Sequence, residues 1–128
     1  MATRIIALDL GLTTGYAVLD MGNNLHGHGV FTEEDLDTGI VLLLSKYTPT
    51  YTVCERPVVF RGELGDKLQK VILTADRLLS PFGTNKWIGP DVWKPTPHGR
   101  AEVPKKITAH ERDAIRMGLW FVSWLKRS

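Results

Sequence analysis

Two rhythms of apolar residues alternate along the chain. Residues 4–10, RIIALDL, are almost continuously apolar, the pattern of a central strand covered on both faces. After the glycine-punctuated LGLTTG, the stretch YAVLD resumes a strand, so 4–20 predicts a hairpin, and LHGHGVF at 25–31 predicts a third strand. Thr32 followed by Glu33, Glu34 and Asp35 predicts a helix start, with a capping hydroxyl and acids at the positive end of the dipole; the helix would run to about Tyr47. TYTVCE at 50–55 alternates and is rich in β-branched residues, which marks a fourth strand. Within 62–80, Leu64, Leu68, Val71, Ile72, Ala75, Leu78 and Leu79 recur every three or four positions, as on one face of a helix. NKWIG at 85–89 predicts a fifth strand, and Pro90 to Lys106, with four prolines, reads as a basic, mobile loop. The last helix starts near Thr108, where T-A-H-E matches a capping box, and runs to about Lys126. The order β-β-β-α-β-α-β-α predicts an α/β fold: a mixed five-stranded sheet with helices on both faces.

A length of 128 residues fits one domain, 1–128, and excludes a multidomain reading. No apolar run approaches the ~18 residues of a membrane span, the start lacks the layout of a signal peptide, and Cys54 is the single cysteine. These features lead us to expect a soluble, cytoplasmic protein. The net charge of +2 conceals an asymmetry: residues 1–55 carry −5 and residues 56–128 carry +7. Lysine and arginine concentrated in one half are the usual footprint of phosphate binding.

Three acids sit where structure alone would not place them. Asp9 and Glu55 end apolar strands, and Asp113 lies one turn into a helix that becomes strongly apolar. Burying a lone carboxylate is expensive. If the two strands are neighbours, their carboxyl ends lie together and the start of the last helix closes over them. Clustered carboxylates repel unless a cation holds them, and oxygen donors select a hard ion such as Mg2+, with Mn2+ a substitute. Such a site suits phosphoryl chemistry in which two ions about 4 Å apart hold attacking water and leaving oxygen. Positions 110 and 113 share a helix face, whereas 111 and 113 point about 200° apart, so Glu111 belongs to the capping box with Thr108.

The motifs D-L-G-L-T-T-G-Y-A-V-L-D at 9–20, E-R-P at 55–57 and H-E-R-D-A at 110–114 together resemble the three acidic motifs of the RuvC-like Holliday-junction resolvases, within the ribonuclease-H-like superfamily. The resemblance implies that Asp9, Glu55 and Asp113 are metal ligands and catalytic residues, with His110 at a position that some members fill with aspartate. It implies a ribonuclease-H-like fold, a four-way DNA junction as substrate, and a homodimer through the helix at 62–80. Lys94, in V-W-K-P, is similar to a family lysine near the active site, and Lys105 or Lys106 stands for a second; with Arg100 they would grip DNA. Phe60 loosely matches an aromatic that acts on junction bases in bacterial members. A family helix ahead of the last one is replaced by the proline-rich loop. So compact a member is similar to bacteriophage enzymes.

Other marked residues have ordinary expectations. Trp120, Phe121, Trp124 and Leu125 suggest core packing with a possible subunit contact, Cys54 a small buried hydrophobe, and Trp87 and Trp93 either core or base platforms. His26 and His28 flank a glycine on one strand face, without a third residue to complete a metal site. The rival functions are a nuclease of the same superfamily acting on flaps, forks or RNA-containing hybrids, and a catalytically silent nucleic-acid-binding module.

Overall fold

A computed structural model describes residues 3–56, 65–82 and 84–127. Strands β1 (Arg4–Asp9), β2 (Thr13–Asp20) and β3 (Leu25–Thr32) form an antiparallel meander, while β4 (Tyr51–Glu55) and β5 (Thr84–Ile88) run parallel to β1, giving the sheet order β3-β2-β1-β4-β5. β1 is thus central, as its unbroken apolar run requires. Its side chains alternate between two cores. Ile5 and Ala7 join Ala17, Val53 and the last helix on one face, and Ile6 and Leu8 join Val18, Cys54 and the first two helices on the other. Helices α1 (Leu36–Tyr47) and α2 (Asp66–Leu79) cover the second face, and α4 (Ala109–Arg127) covers the first.

Three boundaries differ from the sequence expectation. Thr32 ends β3 instead of capping a helix; its carbonyl accepts the Asp35 N–H, and this turn delays α1 to Leu36. β2 begins at Thr13, because Thr13 and Thr14 already pair with Thr32 and Phe31 of β3. The segment after β5 is not simply a loop. It forms a short helix, α3 (Pro90–Trp93), and a 3-10 turn, Pro97–Arg100, then returns along α4. The reason is anchorage. Trp93 is 1% exposed in the α4-side core, Val103 and Ile107 pack against the same core, and Arg116 Nε–H donates to the Ala101 carbonyl at 2.9 Å. A short helix therefore does stand between β5 and the last helix. Residues 62–64, the start of the helix expected over 62–80, and Phe60 lie outside the described residues.

The aromatic end of α4 is core. Trp120 and Phe121 are buried, and Phe121 meets Tyr51 edge-on and Trp124 in a stack. Cys54 is fully buried, and burial pushes its thiol pKa up.

Candidate active site

The parallel register of β1 and β4 sets Asp9 directly beside Glu55 at the carboxyl ends of the two central strands. The hairpin loop beyond Asp9 is tied by Thr14, whose buried hydroxyl accepts from Gly11 N–H at 3.4 Å and donates to the Gly11 carbonyl at 3.2 Å. Gly15, the β2 partner of Asp9, supports the first turn of α4. A Cβ there would collide with the His110 carbonyl. The chain must carry glycine at this position for α4 to approach the strand ends.

The capping box closes as the sequence predicts. Glu111 N–H donates to Thr108 Oγ1 and Thr108 N–H to Glu111 Oε1, both at 3.1 Å. This fixes where the helix starts and so where His110 and Asp113 point. His110 Nδ1 lies 3.3 Å from Asp9 Oδ2, and Asp113 is approached by Lys94 Nζ at 3.9 Å and by Arg112 Nε at 3.4 Å.

The electrostatics separate this corner from the rest of the surface. Glu55 is 5% exposed and its buried Oε2 has no hydrogen-bond partner. Burial, reinforced by the charge on Asp9 and opposed by Lys94, pushes its pKa up to about 8. Burial also raises the pKa of Asp9, with the His110 contact working against it and the Asp113 charge adding to it. Two carboxyl groups whose charged forms are both disfavoured, one with an orphaned buried oxygen, fit a hard divalent cation that neither the neighbouring lysine nor the histidine replaces.

Of the four expected ligands, Asp9 meets both Glu55, by strand register, and His110, whereas Asp113 meets basic side chains. Among the described residues, no set of three or more His, Cys, Asp or Glu side chains closes tightly enough to hold one ion as the side chains stand. The reason is visible in the pairings: Asp113 turns toward Lys94 and Arg112, while His110 turns toward Asp9. Of the basic residues expected to meet DNA, Lys94 is at the site, and Arg100, Lys105 and Lys106 are exposed along the returning segment. Phe60 lies outside the described residues. The sequence reading missed Arg112, although its place between His110 and Asp113 was a signal, and missed Gly15 and Thr14, which act through backbone approach.

No protein-family profile matches the sequence, and no curated protein does. Solved structures do. Thermus thermophilus RuvC in complex with Holliday junction substrate aligns over 98% of this chain and 96% of its own, with TM-score 0.74 and 15% identity. The chain has the RuvC fold. A further Thermus thermophilus RuvC structure matches with TM-score 0.70 and 14% identity, over 98% of this chain and 96% of that one. The yeast mitochondrial Holliday junction resolvase Ydc2 matches with TM-score 0.59 and 10% identity, over 98% of this chain and 80% of its own. The match thus runs almost end to end, taking in the five-stranded sheet and the helices on both of its faces.

Proposed function

We propose that this chain is a divalent-metal-dependent endonuclease that cuts phosphodiesters in branched DNA, four-way junctions foremost, as a two-fold dimer. The observation that carries the reading is the Asp9–Glu55 pair: adjacent by strand register, Glu55 buried and Asp9 half-buried, and held away from its charged form in a fold shared with a RuvC seen in complex with a Holliday junction. Asp9, Glu55 and Asp113, with His110, would hold Mg2+ or Mn2+. Bound there, the cation would polarise a phosphate oxygen and lower the pKa of a water.

The chain's own groups do the rest. His110 orients the Asp9 carboxylate through its Nδ1 contact. Lys94 places a positive charge beside Asp113, where a phosphate would otherwise meet unrelieved carboxylate repulsion. The exposed Arg100, Lys105 and Lys106 extend positive charge along the segment beside α4. In α2, Val71, Ala75 and Leu79 are buried and Leu73 is 59% exposed, leaving an outer face for the partner subunit.

A panel of labelled four-way junction, fork, flap, RNA-containing hybrid and linear duplex in Mg2+ tests the reading. The junction should be cut fastest. Faster cutting of flaps or forks would transfer the chain to that substrate class, and binding without cutting in either Mg2+ or Mn2+ would make it a silent binding module. On a cruciform-bearing supercoiled plasmid, a dimer gives linear product. Nicked circles alone, with a monomeric mass in solution, would refute the dimer.

A further inference from the structure

His28 lies on the edge strand β3, two strands away from Asp9. Its register partner is Ala17, which in turn pairs with Ala7, so Ala7, Ala17 and His28 form one row across the face that α4 covers. The two alanines are small and let α4 lie close to the sheet. At the end of the row, the imidazole reaches up to the helix start, and its Nδ1–H donates to Glu111 Oε2 at 2.6 Å. The other oxygen of Glu111 accepts the Thr108 N–H of the capping box. One carboxylate therefore joins the edge of the sheet to the first turn of α4. His28 pulls that turn from the β3 side. Lys94 meets Asp113 on the other side, in keeping with the ~200° between residues two apart on a helix. His110 and Asp113 flank Glu111 in sequence, so a small rotation of this turn displaces both.

We propose that His28 is a positioning residue: through Glu111 it sets the orientation of the α4 turn that presents His110 and Asp113, and so the affinity of the site for a divalent cation. The proposal rests on the reading of Asp9, Glu55, His110 and Asp113 as the metal site.

The test is Mn2+ binding by titration calorimetry on the full-length protein, with no DNA present. His28→Ala should weaken binding by about 10-fold, the low end of what removing a group that orients metal ligands costs. His28→Gln, whose amide N–H can still donate to Glu111, should recover most of that affinity. His26→Ala removes the comparable 2.7 Å contact with Asp20, at the turn joining β2 to β3, and should leave Mn2+ affinity unchanged. A His28→Ala affinity equal to the parent's, or an equal weakening in the Ala and Gln variants, would overturn the positioning role while leaving the metal site intact. If the parent binds no Mn2+, the metal-site reading fails and this inference fails with it. A purely structural role predicts lower thermal stability in His28→Ala without rescue of Mn2+ affinity by glutamine.

Discussion

Carboxylates meet histidines in two different ways in this molecule. At the β2–β3 edge, Asp20 takes the His26 ring at 2.7 Å together with the Gly22 and Asn24 N–H groups, and these donors hold its carboxyl well below the usual range. Burial works against the charge on Glu111, yet His28 and Thr108 together outweigh it, so that pKa is lowered as well. At the centre of the sheet the balance reverses. Asp9 has a long contact with His110, Glu55 leaves an oxygen without a partner, and both are raised. The contrast separates acids that hold the fold from acids held ready for something else: the first are saturated with donors, the second are set side by side by strand register and have too few donors to offset their burial.

The sharpest way to break this comparison is to neutralise one acid of each kind. Asp9→Asn or Glu55→Gln should slow single-turnover junction cleavage on the order of 10³-fold, with DNA binding equal or tighter, whereas Asp20→Asn should cut at close to the parent rate. Next in size is a methyl group at Gly15. Gly15→Ala forces the first turn of α4 away from the strand ends and should reduce cleavage by on the order of 10²-fold, while Gly22→Ala in the β2–β3 turn, where an added Cβ would come no nearer than 3.2 Å to an exposed Asn24 side chain, should be nearly silent.

Stability against pH sharpens the contrast in sign. Glu55 keeps its proton in the fold up to about 8 but in the unfolded chain only to about 4.5, so without metal the folded state binds more protons between these values and stability falls as pH rises through them. Urea melts at pH 8 should find Glu55→Gln more stable than the parent by on the order of 4 kcal/mol, an advantage that disappears below pH 4.5 and shrinks when Mg2+ is added to the parent. Asp20→Asn should show the opposite sign at pH 8, since its charged form is the stabilised one. The smallest effect concerns DNA affinity. Neutralising Lys94, Lys105 and Lys106 should weaken binding to every DNA shape and flatten the salt dependence by about one unit of slope for each phosphate that no longer meets a lysine. An unchanged slope would place the DNA elsewhere.

The central arrangement was legible in the sequence because its signals are local. An acid ending an apolar run marks a strand terminus, and the spacing of His110, Glu111 and Asp113 after Thr108 fixes which of them share a face. The anchored segment from Pro90 to Ile107 was not legible. It is held by Trp93, Val103 and Ile107, single apolar residues scattered among prolines with no period to betray them. Thr32 misled because a β-branched residue with a hydroxyl suits a strand end and a helix cap equally. The His28–Glu111 hydrogen bond spans 83 positions and shows only once the strand order is known.

The strand register that joins Asp9 to Glu55 also imposes a timetable on biosynthesis. Asp9 leaves the ribosome early, Glu55 follows only after the meander and α1, and the turn with His110 and Asp113 comes near the end of the sequence. At roughly 5–20 residues per second, the first acid waits on the order of ten seconds for the last. The corner around Asp9 and Glu55 is therefore complete only once α4 docks against the strand ends.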